Sequence, residues 1–175
     1  MRNRRFVILF FVAGLVSANS WAGSKGMSRE QYENQYGLYT SRSAHWPNVK
    51  GCLNAWGSNH PFKNRKKLRF RVIRSGVKVF GLGSNVDDYA KTSYPQLILI
   101  ESAVNVMGKT TYRLMNPNGW YCFEDNVNVM GKAVIETACR THIATSSGST
   151  TVMGSNPGEG GVTVMGKTVI KRHCD

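Results

Sequence analysis

The sequence predicts a mainly β protein: a stacked-strand, β-solenoid-like or repeat β-sheet domain with a short N-terminal helix and loop cap. Three observations carry that expectation. The first is a recurring phrase, Val-x-Val-Met/Phe-Gly. It reads Val77-Lys78-Val79-Phe80-Gly81, Val104-Asn105-Val106-Met107-Gly108, Val127-Asn128-Val129-Met130-Gly131 and Val162-Thr163-Val164-Met165-Gly166, with a degenerate copy at Thr150-Thr151-Val152-Met153-Gly154. The glycines stand 27, 23, 23 and 12 residues apart. Recurrence at this period marks stacked units, none of which buries its apolar side alone. The second is that strand and turn signals alternate from Leu68 to the C-terminus without helix periodicity. The third is a capping box, Ser28-Arg29-Glu30-Gln31, followed by tyrosines at helical spacing.

The division that follows is residues 1–22 as a signal peptide, 23–67 as a helix and basic loop cap, and 68–175 as the repeat β domain. Arg2, Arg4 and Arg5 precede an apolar run from Phe6 to Val16, and Ser20-Trp21-Ala22 places small residues at a cleavage site. That run is about half of the roughly 20 residues a spanning helix needs. The expected destination is therefore periplasmic or secreted, after cleavage near Ala22.

In the cap, Ser28 is the expected N-cap of a helix of two to three turns ending near Gly37. Tyr32, Tyr36 and Tyr39 form its packing face. Residues 45–64, with Trp46, Pro47, Gly51, Trp56, Gly57 and Pro61, read as an ordered loop pinned by Cys52. From Leu68 the alternation of Leu68, Phe70 and Val72 with Arg69 and Arg71 describes a strand with one buried and one cationic face.

Side chains alternate along a strand. If each strand runs straight through its glycine, Thr110, Tyr112 and Leu114, then Ala133 and Ile135, then Thr168 and Ile170 face inward. The opposite side then stacks methionines in one ladder and Lys109, Lys132 and Lys167 in another. A bend at glycine, which tolerates positive φ, turns Val134 and Val169 inward instead. Both geometries fit the sequence.

The four cysteines are all downstream of residue 22, and an even count in a small exported chain favours two disulfides. Cys139 lies eight residues after Gly131, and Cys174 eight after Gly166. Neighbouring strands are roughly 5 Å apart, within disulfide reach. Cys139–Cys174 and Cys52–Cys122 follow, provided the copy at Gly154 does not insert a full layer between the first pair.

The chain has 23 basic and 10 acidic residues, a net charge of +13. Loss of Arg2, Arg4 and Arg5 takes this to +10. Lys63, Arg65, Lys66, Lys67, Arg69, Arg71 and Arg74 fall within twelve residues and form a candidate anionic-polymer-binding strip. An exported cationic strip attracts lipopolysaccharide phosphates, acidic glycans or other anionic membrane surface. Trp46, Trp56 and Phe62 are not spaced as a stacking platform, so the sequence gives nucleic acid no support.

Catalytic signals are sparse. His45, His60, His142 and His173 are scattered, Asp87-Asp88 and Glu124-Asp125 sit at strand or turn positions, and no cofactor or metal motif is present. The leading expectation is a non-catalytic envelope-associated or secreted binding or structural protein. A small polysaccharide-active enzyme using Arg113, Lys132 and Glu136 is the first alternative. A Cu(I) binder built on Met107, Met130, Met153 and Met165, with His142 or His173, is the second.

The Val-x-Val-Met-Gly-Lys-x-x-Ile phrase resembles the glycine-punctuated layers of bactofilin-type β-solenoids over residues 77–171. The resemblance implies a stacked-strand shape and a capacity for self-association. It carries over no functional residue.

Overall fold

The computed structural model describes residues 26–63, 68–74, 84–101, 103–124, 126–146, 149–152, 161–164 and 167–174. The expected signal peptide, Arg65, Lys66, Lys67, the first phrase copy at 77–81, Met153 and Met165 lie outside these residues. The protein is mainly β. No helix among the described residues is long and apolar enough to cross a membrane.

Helix α1 (Arg29–Gln35) starts on the expected capping box: the Gln31 N–H donates to Ser28 Oγ at 3.3 Å, and the Ser28 N–H to Gln31 Oε1 at 2.9 Å. It stops at Gln35 and keeps only Tyr32 and Tyr36 of the tyrosine stripe. Tyr39 lies in strand β1 (Leu38–Thr40), antiparallel to β2 (Arg69–Ile73).

A second helix, α2 (Trp46–Trp56), replaces the expected loop. Two residues disguised it. Pro47 occupies the first turn, where the missing N–H costs nothing. Gly51 is interior because α2 presses on the sheet there, and a Cβ would collide with the Ser146 carbonyl. The signal that was present is Trp46, Val49, Leu53 and Trp56, one helical stripe. Val49 and Cys52 are fully buried under it.

The remaining strands are β3 (Ser84–Asp88), β4 (Gln96–Ile100), β5 (Ala103–Asn105), β6 (Lys109–Leu114), β7 (Gly119–Phe123), β8 (Asn126–Val129), β9 (Lys132–Ala138), β10 (His142–Thr145), β11 (Ser149–Val152), β12 (Gly161–Val164) and β13 (Lys167–His173). They form three sheets, ordered β1-β2-β4-β7-β10, β11-β12-β8-β5 and β13-β9-β6-β3. Every pairing except β1 with β2 is parallel. The chain visits the sheets in the same order each time: β4, β5, β6; then β7, β8, β9; then β10, β12, β13.

The phrase-bearing strands are neighbours in register. Val127 pairs with Val104 on one side and Val162 on the other. The backbone N–H of Lys132 donates to the Gly108 carbonyl at 2.8 Å, and that of Lys167 to the Gly131 carbonyl at 2.9 Å. The degenerate copy does not intervene. Its strand, β11, lies beyond β12, with Val152 opposite Val164. Strand β11 thus lies at the edge of its sheet, and β13 is directly beside β9.

That arrangement brings Cys174 next to Cys139, and both expected disulfides are present: Cys139–Cys174 with Cα atoms 4.7 Å apart and Cys52–Cys122 with 5.7 Å. The described chain has no free cysteine. Disulfides persist in oxidising compartments, so the two bonds are compatible with an extracellular setting.

Two apolar clusters share the sheet that contains β4 and β7. On its outer face Phe70, Leu97, Leu99, Trp120, Cys122 and Ala144 pack against Val49 and Cys52 of α2. On its inner face Ile98, Ile100, Tyr121 and Phe123 meet Tyr112, Leu114, Ala133 and Ile135 of the β6–β9 sheet. Strands β4 and β7 are buried on both faces, which is why QLILI reads as a continuous apolar run. The chain does not run straight through the glycine but turns from one sheet to the next there, and after the turn Ala133 and Ile135 join the core cluster. Val134 is nevertheless buried as well, and Val169 is half-buried. The left-handed backbone expected of glycine falls one residue earlier, on Met107 (φ 71) and Met130 (φ 55).

Burial, then the charge and hydrogen bond of Asp88, pushes the Tyr121 phenol well above its ordinary 10.0. Burial also raises Tyr32, against the opposing pull of Arg71. The folded state keeps these protons where the unfolded chain releases them. Their contribution is intact below pH about 10 and is lost progressively as pH climbs from there through the raised folded values. Thermal melts followed by circular dichroism should therefore show a midpoint that drops above pH about 10. A midpoint level through that range contradicts this account of the two tyrosines.

Candidate functional site

Four residues of the basic strip, Lys63, Arg69, Arg71 and Arg74, are among the described residues. Arg69 is exposed and pairs with Glu33 of α1 at 2.6 Å. Arg74 is 79% exposed and lies 3.5 Å from Glu101. Lys63 is exposed after α2.

Arg71 is not on the strip. Its side chain, 17% exposed, turns away from α2 and reaches Asp88 at 2.9 Å. The guanidinium lies 3.8 Å from the centroid of the Tyr36 ring. Alternation along β2 placed Leu68, Phe70 and Val72 on one side correctly. The other side is not solvent, because α1 covers it at this end, and a charge enclosed there needs a partner. Asp88 is that partner and is almost fully buried. Its Oδ2 accepts from the Tyr121 hydroxyl at 2.7 Å, and its Oδ1 from the Ala90 N–H at 3.2 Å.

The outer face of the β3-β6-β9-β13 sheet carries the clearest cationic geometry. Lys109, Lys132 and Lys167 are opposite one another on three hydrogen-bonded strands, and all three are exposed. Adjacent strands are about 4.8 Å apart.

Among the described residues the acids of this face are Asp87 and Glu136. Arg113 stands between them, 3.5 Å from Asp87 and 3.7 Å from Glu136. The second column therefore alternates in sign, Asp87, Arg113, Glu136 and Lys171. Its charges are locally compensated. Arg113 and Glu136, considered above for glycan chemistry, meet as members of this ion-pair series.

Met107 and Met130 are exposed, 43% and 49%, just before the lysine column. His173 is at the opposite end of β13, and His142 begins β10 in another sheet. His142 lies flat on Trp120, ring centroids 3.7 Å apart. Burial, followed by Arg172, lowers its pKa from the ordinary 6.5. Neither histidine joins the two methionines. Among the described residues no group of three or more His, Cys, Asp or Glu side chains is placed to hold a metal ion.

Glu101 and Glu124 follow β4 and β7 at one corner and serve α2. His45 lies 3.6 Å from Glu101, and the Asn48 amide donates to Glu124. No family model, curated protein or solved structure matches this chain.

Proposed function

We propose that this chain is an exported, non-catalytic binding module that holds anionic surface polymer, such as lipopolysaccharide or acidic glycan, along Lys109, Lys132 and Lys167. It is a short parallel β-solenoid stapled by two disulfides and delivered to the periplasm or cell exterior by residues 1–22. The cyclic strand order and parallel pairing support the solenoid. The disulfides and the basic, apolar, small-residue pattern of the leader support export.

One observation carries the binding reading: the column of three exposed, in-register lysines. A sheet edge needs a few lysines to discourage pairing, but these run across the strands rather than along one edge. A polyanion laid across the strands relieves their mutual repulsion and releases its own counterions, so binding weakens as salt rises. Among the described strip residues, Arg69, Arg71 and Arg74 each have a carboxylate nearby. Along β13 itself, Lys171 and Arg172 are also exposed, and this charge opposes edge-to-edge self-association.

Retention of the mature protein on heparin or on lipopolysaccharide-coated beads should fall with salt. The triple variant Lys109→Glu/Lys132→Glu/Lys167→Glu should elute at markedly lower salt than the parent. It should also elute earlier than Arg42→Glu/Lys50→Glu/Lys63→Glu, which makes the same change in net charge elsewhere. Equal elution of the two triple variants means that total charge, not the column, governs retention.

A further inference from the structure

The corner at which β6 and β9 hand the chain to β7 and β10 holds two adjoining cavities of about 470 and 570 Å³. Both are within the range of small-ligand sites. Pro117 and Arg140 line both of them. The first cavity lies between the end of α2 and the sheet, with His60, Asn118, Trp120 and His142 in its walls. The second continues to Lys91 and His173. Among the described residues, no aspartate or glutamate lines either one.

The corner is stiff. Asn116 is fully buried, and its Oδ1 accepts from the backbone N–H of Thr92 at 3.2 Å and of Asn118 at 3.1 Å. The Asn118 amide donates to the Thr92 carbonyl at 2.6 Å, and the Thr141 hydroxyl to the Asn116 carbonyl at 3.2 Å. Successive layers are thus joined by side chains as well as by strands. The Cys139–Cys174 disulfide closes the far wall. A ligand arriving here does not have to order its site, which lowers the cost of binding.

The donors and the ring point to one ligand chemistry. Arg140 is an exposed guanidinium, and its planar fork suits a carboxylate. His142, supported from beneath by Trp120, offers a flat ring in the first cavity. His60 Nδ1 accepts from the Phe62 N–H at 3.1 Å. In the neutral ring the proton is then on Nε2, which makes that nitrogen a hydrogen-bond donor. A pyranose ring has an apolar C–H face to lie on an aromatic ring and hydroxyls at its rim. We infer that this corner is a binding site for an acidic sugar, with the carboxylate on Arg140, the ring against His142, and hydroxyls on His60 and Asn118. Lys91 and His173 extend the site toward a second acidic unit. The site is separate from the lysine column and does not depend on it.

Titration calorimetry with trigalacturonate tests this, with its methyl ester as the neutral analogue and inorganic phosphate as a bare anion. The expected result is saturable binding of trigalacturonate, weakened by about tenfold or more by Arg140→Ala and likewise by His142→Ala. Arg140 is exposed, so Arg140→Ala should keep the parent's melting behaviour. His142→Ala gives up its stack on Trp120 and should melt slightly earlier while staying folded. The methyl ester should bind correspondingly worse, and phosphate should not displace the sugar. The lysine triple variant should bind the trimer like the parent, which separates this site from the polymer reading. Absence of binding at millimolar sugar overturns the assignment. So does unchanged affinity in both single variants, or displacement by phosphate at the concentration of the sugar itself.

Discussion

Asp88→Ala is expected to lower the free energy of unfolding by about 3–5 kcal/mol, the usual consequence of leaving an enclosed charge without its partner. Three groups lose their acceptor together: the Arg71 guanidinium, the Tyr121 hydroxyl and the Ala90 N–H. Arg71 keeps some solvent contact at 17% exposure and its place against Tyr36, which moves the expectation toward the lower end. Chemical denaturation should show an earlier midpoint with the slope unchanged. Removing both charges with Arg71→Met/Asp88→Leu should recover much of the loss, because apolar replacement of a buried pair is often neutral. A loss below about 1 kcal/mol for Asp88→Ala, the level of an ordinary exposed pair, means that the network at this end is solvated. The same site explains why an Arg71→Glu variant cannot report on surface binding. It would place two carboxylates together beneath α1, and any lost retention would reflect damage to the fold.

The second large effect concerns the bond between α2 and the sheet. Cys52→Ala/Cys122→Ala opens a link across a sequence separation of 70 residues. Chain-entropy arguments assign such a link about 4 kcal/mol. Both side chains are fully buried between α2 and β7, so the alanines also leave part of that layer unfilled. Denaturation should show the loss, and hydrogen exchange should show where it falls. Amides of α2 such as those of Val49 and Leu53 should exchange faster, while those of Tyr112 and Ile135 in the inner cluster change less. Uniform acceleration across both clusters would mean that α2 and the sheets open as one unit. An unchanged midpoint would mean that packing alone holds the helix.

Residues repeating at a period were legible because layers of one stack impose the same demands on each copy. Val104, Val127 and Val162 share a column, as do Lys109, Lys132 and Lys167, because parallel strands keep equivalent positions opposite each other. The cysteine pairs followed from the same logic. The Ser28 capping box was legible because its hydrogen bonds close within four residues. Helix α2 was not, since Pro47 and Gly51 are turn signals locally, and only the contact with Ser146 explains the glycine. Arg140, His60 and His142 gave no sequence signal as a group, for they come from different elements.

The amino-acid order by itself determined the strand character, the spacing of the copies and the α1 start, and it favoured the two disulfide pairings. Each of these depends on local chemistry or on a period that survives in one dimension. Only the tertiary structure decided that Arg71 is enclosed while Lys109, Lys132 and Lys167 are open, and that the copy at residues 150–152 stacks outside the run of layers. Strand alternation says that two side chains face opposite ways. What stands on either side depends on segments brought in from far along the chain, here α1, α2 and Asp88.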